Sequence, residues 1–205
     1  MTTTSANRAV SRRATLRQKT AKVARWLHIY LSMVSFAVIL FFAVTGLTLN
    51  HQEWFAKAAK TRLIRGTLPL NTLSNPDEAA LVQHFRSVDH VSGAPSDMRV
   101  DDSEITVSLR GPGYSADATV LRSSGRYMLV ETRNGFWSVL NDLHKGRDTG
   151  TAWKWGIDAS AVLLTLVSLT GLVLIFFLYK RRTTGLLAAA GGMALVVLLY
   201  RLFVP

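Results

Sequence analysis

Residues 159–182 read Ala159-Ser-Ala-Val-Leu-Leu-Thr-Leu-Val-Ser-Leu-Thr-Gly-Leu-Val-Leu-Ile-Phe-Phe-Leu-Tyr179-Lys180-Arg181-Arg182. Up to Tyr179 the run holds no charged side chain, and about 20 such residues are what a helix needs to cross the hydrocarbon core of a bilayer. Two further stretches share the property, residues 26–49 and 185–200. The chain therefore reads as an α-helical integral membrane protein with three transmembrane helices, over 21–51, 152–179 and 185–204. The third contains Gly191-Gly192 and ends near Arg201, whose long side chain can snorkel to the interface.

The formal net charge of +11 is placed unevenly. Residues 1–25 carry seven Lys or Arg and no acid, and Lys180-Arg181-Arg182 add three, whereas residues 50–155 carry thirteen basic and twelve acidic residues. Excess charge at short membrane flanks follows the positive-inside rule: it puts the N-terminus and the 180–184 turn in the cytoplasm, and residues 52–151 and the C-terminus outside. Nucleic-acid binding would need that charge gathered on a folded surface instead, so no nucleic-acid partner is expected. Absence of cysteine excludes disulfides, thiolate metal sites and cysteine nucleophiles. No Ser/His/Asp arrangement, phosphate-cradling glycine loop or His-Glu-x-x-His pair supports hydrolase or nucleotide chemistry. The first apolar run exceeds a signal-peptide core, and Thr48-Leu-Asn-His-Gln offers no small-residue cleavage site, so an uncleaved anchor is expected.

Taken in order, residues 1–20 lack hydrophobic periodicity and read as a disordered basic tail near anionic lipid. Residues 52–73 read as a continuation of the first helix followed by a linker broken by Gly66 and Pro69. Residues 74–134 form a small α+β domain inserted between the first two spans. Its helix starts at Ser74-Asn75-Pro76-Asp77-Glu78, and strands follow over 98–100 with 104–110, 115–122 and 126–132. Residues 135–151 read as a juxtamembrane helix and loop, and Trp137, Trp153 and Trp155 as an aromatic belt. Leu169-Thr-Gly-Leu-Val-Leu in the second span repeats Val44-Thr-Gly-Leu-Thr-Leu in the first, and each Thr-Gly step reads as a site of close helix packing.

Chemistry-bearing residues cluster at the ends of the spans. His28 and His51 are 23 residues apart, roughly 34 Å along a helix, and so occupy opposite faces of the membrane. His51 and His144 both emerge on the outer side. Two imidazoles there could ligate one haem or metal ion, or serve as ordinary interfacial side chains. Asn50 precedes His51; Asp158, at the start of the second span, could orient His144 or neutralise Arg147 or Lys154. Lys57, Lys60, Arg62 and Arg65 follow His51 and could pair haem propionates or an anionic ferric chelate, or form a solvated face.

Arg-Trp-Leu-His28, Thr-Gly-Leu-Thr-Leu-Asn-His51, the helix-plus-strands domain, and Leu-Asn-Asp-Leu-His144-Lys-Gly-Arg-Asp-Thr-Gly before a second span together resemble the PepSY-associated transmembrane helix proteins over residues 22–182. The resemblance implies a bacterial inner-membrane protein with a PepSY-like periplasmic domain, in a family whose larger members include siderophore-iron reductases carrying two b-type haems on transmembrane histidines. By position, His51 and His144 would be outer-haem ligands through haem iron and His28 an inner-haem ligand. Those larger proteins have at least four spans; this chain has three and no second histidine on the cytoplasmic side, so His28 would need a counterpart from a homodimer or another membrane subunit. The function expected is haem-dependent electron transfer that assists periplasmic reduction of ferric chelates, as a reductase or a subunit of one. A membrane-anchored interaction module or an accessory subunit of an iron-uptake complex is the alternative, and membrane lipid is a partner in either case.

Overall fold

The computed structural model describes residues 3–205, and their side chains apart from residues 3–14, 56 and 57. Three helical segments are long and apolar enough to cross a membrane: Thr15–Asn50, Gly150–Ile175 and Tyr179–Phe203. They match the three expected spans to within a few residues at most ends. Between the first and second lies a five-stranded antiparallel sheet. By contact the chain divides into two units, residues 1–39 with 159–205, and residues 40–158.

The first helix, α1, runs from Thr3 to Asn50. Residues 1 and 2 of the expected tail lie outside the described residues; from Thr3 onward the expected disorder is replaced by helix. Within residues 3–20 good helix formers such as Ala, Arg, Leu, Gln and Lys make up ten of the eighteen residues and none is Gly or Pro, so nothing interrupts the backbone hydrogen bonding that the apolar run downstream propagates. In the same unit the chain returns in the C-terminal part of the helix Gly150–Ile175, turns through a 3₁₀ segment at Tyr179–Arg181, and ends in the helix Arg182–Phe203.

The sheet belongs to the other unit. Its strands are β1 (Lys60–Thr67), β2 (Ala94–Val100), β3 (Glu104–Gly111), β4 (Tyr114–Leu121) and β5 (Arg126–Arg133), in the order β1-β5-β4-β3-β2. Two short helices separate β1 from β2: α2 (Leu70–Ser74) and α3 (Glu78–Val88). Ile105, Val107, Leu109, Ala116, Ala118, Val120, Tyr127 and Leu129 alternate onto one sheet face and close a core with Leu81, Val82 and Phe85 of α3. The α3 cap is Asp77, whose carboxylate accepts from Ala80 N at 3.1 Å, so the helix begins after Pro76 and not at Ser74.

The segment expected to prolong the first helix differs most. Gln52–Ala58 is a short 3₁₀ stretch, and Lys60–Thr67 is the edge strand β1, paired in register from Lys60 opposite Arg133 to Thr67 opposite Arg126. Helical propensity yields here to pairing that satisfies one row of β5 backbone groups. A buried carboxylate pins the edge: Glu131 accepts from Arg62 at 2.9 Å, from Arg133 at 2.8 Å and from Tyr114 at 3.0 Å. Arg62 also donates to Asp89 O at 2.9 Å, which ties β1 to the end of α3.

After β5, helix α4 (Phe136–Lys145) leads to α5 (Gly150–Ile175) and α6 (Arg182–Phe203). Asp142 docks α4 onto the sheet. Its buried carboxylate accepts from Gly113 N at 2.8 Å, in the β3–β4 turn, and pairs with Arg147 at 2.8 Å. Gly113 has φ +67, and a Cβ there would strike Val139 of α4, so the close approach of turn and helix requires glycine.

Burial pushes the Glu131 carboxyl up, but hydrogen bonds from Arg133 and Tyr114 and the charges of Arg133 and Arg62 outweigh it and hold it below its ordinary value. The stabilisation is therefore complete above the ordinary carboxylate pKa, about 4.3, and is lost as pH falls through the lower folded value. Glu131→Ala should cost the sheet domain about 2 kcal/mol, read as a lowered unfolding midpoint at pH 7. That deficit should shrink when the comparison is repeated in acid, because the wild type then loses the same interaction.

Candidate functional site

Helix α4 presents one face to α1 through matched polar pairs. Thr48 Oγ1 lies 2.7 Å from Asn141 Oδ1, and Thr45 Oγ1 lies 2.6 Å from His144 Nδ1. Positions 141 and 144 are one turn apart on α4, as are 48 and 45 on α1, and residues three apart share a helix face. Thr45, Thr48, Asn141 and Asp142 are all buried. The His144 ring also meets Phe42 edge-on, with centroids 4.9 Å apart, and its Cε1 would lie 3.7 Å from a Cβ at Gly46.

The direction of His144 is set by how α4 ends. Gly146 adopts φ +67 and returns its N–H to Leu143 O, while Arg147 N donates to Asp142 O at 3.0 Å. This left-handed glycine cap fixes the last turn, in which His144 lies. Trp153 Nε1 then donates to Leu143 O at 2.8 Å, and Thr149 Oγ1 to Gly146 O at 3.1 Å.

A second imidazole is held the same way in the other unit. His28 Nδ1 lies 3.1 Å from Thr170 Oγ1 and 3.1 Å from Val167 O. A Cβ added at Gly171 would sit 3.0 Å from His28 Cε1, tighter than ordinary contact, so a larger residue there would push the ring back by a few tenths of an ångström. Both histidines thus rest on the Thr-Gly steps that the two spans share. The sequence reading assigned those steps to helix packing; the repeat was visible, but which side chain lay against it was not.

His51 is placed differently. Its ring stacks on Trp54, with centroids 4.0 Å apart and planes at 4°, and Nδ1 lies 3.3 Å from Glu53 Oε1. Among the described residues, no hydrogen bond or ring contact joins His51 to His144. Asn50 ends α1 and is exposed. Asp158 is exposed on α5, and the partner expected of it is supplied elsewhere: Thr45 orients His144, and Asp142 pairs with Arg147. Of the basic run after His51, the Lys57 side chain lies outside the described residues and Arg62 is engaged by Glu131.

A polar cavity of about 380 Å³ lies along α4, lined by Gln52, Glu53, Ser138, Asn141, Lys145 and Arg147 among others. Among the described residues no group of three or more His, Cys, Asp or Glu side chains could hold a bare metal ion. A haem iron takes one or two protein ligands, commonly imidazole, and His144 and His28 are the side chains at the two Thr-Gly steps that could supply one. His144 and His28 each have one ring nitrogen engaged by the protein, and Nε2 makes no hydrogen bond among the described residues.

Burial pushes the His144 pKa below its ordinary value of 6.5, and the neighbouring Lys145 charge adds to the effect. The ring is therefore neutral at pH 7, as ligation requires. Its ring resonances should titrate with a midpoint below 6.5 in the full-length protein, and a midpoint at or above that value would contradict the burial described.

Residues 22–205 match the PepSY_TM-like family. No curated protein and no solved structure matches the chain. With a match over most of its length, three helices able to span a membrane and a small antiparallel sheet between the first two, the chain belongs to the PepSY_TM-like family.

Proposed function

We propose that this is a haem-binding electron-transfer protein of the bacterial inner membrane that assists reduction of ferric chelates in the periplasm. The observation that carries the reading is the pair of imidazoles, His144 and His28, each seated on a Thr-Gly step with Nδ1 held and with no hydrogen bond to Nε2 among the described residues. A histidine that merely anchors a helix in the headgroup region has no need of a fixed ring orientation; a ligand does. Bound haem b would supply the one-electron redox couple, and the chain would set its potential through ligand identity and burial.

In this reading His144 would hold haem on the outer side and His28 on the inner side, with the N-terminus cytoplasmic and residues 52–151 periplasmic, as the basic flanks favour. One imidazole stands at each Thr-Gly step. A second ligand to the same iron would come from His51 or from an imidazole of a second copy or partner subunit beside His144, and from another chain beside His28. The polar cavity beside α4, with Lys145 and Arg147 in its wall, offers donors to an anionic ferric chelate.

Purification in mild detergent followed by visible spectra before and after dithionite tests the reading. A Soret band with sharp reduced α and β bands is expected. His144→Ala and His28→Ala should each remove part of the absorbance, and His51→Ala should do so only if that residue supplies the second outer ligand. A protein that stays colourless after haem reconstitution would overturn the proposal and leave the membrane-anchored interaction module as the better account.

A further inference from the structure

Proton accounting at the two Thr-Gly steps assigns more than packing to the threonines. A threonine hydroxyl carries one proton. Thr45 Oγ1 lies 2.6 Å from Phe41 O and 2.6 Å from His144 Nδ1. Two facing lone pairs do not approach so closely, so each contact contains a proton. The Phe41 carbonyl has none to give. Thr45 therefore donates to Phe41 O, and the ring donates to Thr45 from Nδ1.

The second step gives the same answer by an independent route. Thr170 Oγ1 lies 2.8 Å from Leu166 O and 2.9 Å from Val167 O, and its single proton serves one of them. His28 Nδ1 faces both Thr170 Oγ1 and Val167 O at 3.1 Å. A carbonyl only accepts, so Nδ1 of His28 also carries its proton. In a neutral imidazole with Nδ1 protonated, the lone pair is on Nε2.

We infer that Thr45 and Thr170 are positioning residues: with their own protons turned back onto helix carbonyls, they hold His144 and His28 as Nδ1–H tautomers and leave Nε2 as the only ligating atom of each ring. Gly171 adds to the device at His28, where a Cβ would press on the ring at 3.0 Å, whereas a Cβ at Gly46 would make ordinary contact with His144 at 3.7 Å. That haem iron is the acceptor of these lone pairs rests on the proposed function; the tautomers themselves do not.

The test uses full-length protein in lipid nanodiscs, histidine-labelled with ¹⁵N and prepared without haem, with ring nitrogen shifts recorded at pH 8. Wild type is expected to show a protonated Nδ1 and an unprotonated Nε2 for both His28 and His144. Thr45→Val should release His144 towards the Nε2–H form, and Thr45→Ser should retain Nδ1–H. At His28, where Val167 O still accepts, Thr170→Val should shift the tautomer less than Thr45→Val shifts that of His144. Haem titrated back should bind Thr45→Val roughly tenfold more weakly than wild type and Thr45→Ser about as well as wild type. An Nε2–H tautomer in the wild type, or a Thr45→Val protein that folds and keeps Nδ1–H unchanged, would overturn the inference. Nδ1–H rings in a protein that takes no haem would uphold the positioning role and overturn only the haem reading.

Discussion

The 2.6 Å contact between the Thr45 hydroxyl and His144 Nδ1 is the constraint around which the C-terminal end of α1 is organised. A threonine in a spanning helix normally satisfies its hydroxyl by bonding back one turn, and Thr45 does so to Phe41 O. Accepting a hydrogen bond from an imidazole in addition occupies one of the oxygen's two lone pairs and restricts the angle of approach. The partner ring must then be delivered by a rigid element. Helix α4 is that element, held through its last turn by Asp142 on the Gly113 amide and by the Gly146 cap. In this sense the sheet domain is a jig for α4: the β3–β4 turn sets where Asp142 docks, and Asp142 sets where His144 points.

The repetition of the arrangement at His28 and Thr170 gives it meaning beyond local packing. Both sites place an imidazole edge over a glycine, both engage Nδ1, and both leave Nε2 without a hydrogen bond among the described residues. They are not identical, since a Cβ at Gly171 would come within 3.0 Å of the ring and one at Gly46 only within 3.7 Å. His28 is thus the more tightly dependent on its glycine. His144 has a helix-capping loop and the Asn141–Thr48 pair to hold it in addition.

Much of this was legible in the sequence, and the rest was not for identifiable reasons. The three spans declared themselves as charge-free runs because a bilayer imposes that composition wherever a helix is exposed to it. Strands β3, β4 and β5 were readable because one face of each is buried, which imposes alternation. Strand β1 was not: Lys60-Thr-Arg-Leu-Ile-Arg-Gly-Thr67 is mostly exposed, and its identity as a strand comes from pairing with β5, residues distant in sequence. Charge counting put His51 and His144 on one side of the membrane, and that is all it could do. His51 comes six positions after Thr45, beyond the end of α1, and its ring found Trp54 instead. The duplicated Thr-Gly step was in plain view, and the appearance of one histidine for each was the available signal. Reading it needed the relative placement of a hydroxyl and a ring from residues 99 apart in one case and 142 apart in the other, which no periodicity encodes.

The central claim is that Nε2 of a histidine braced by threonine is the atom that meets iron. An experimental structure of the protein isolated from its own membrane, at a resolution that orients imidazole rings, measures this directly. The account predicts iron on Nε2 of His144 with Nδ1 still within hydrogen-bond distance of Thr45 Oγ1. Iron on Nδ1, or a His144 ring that keeps its place on Thr45 while the haem is ligated elsewhere in the protein, would contradict it.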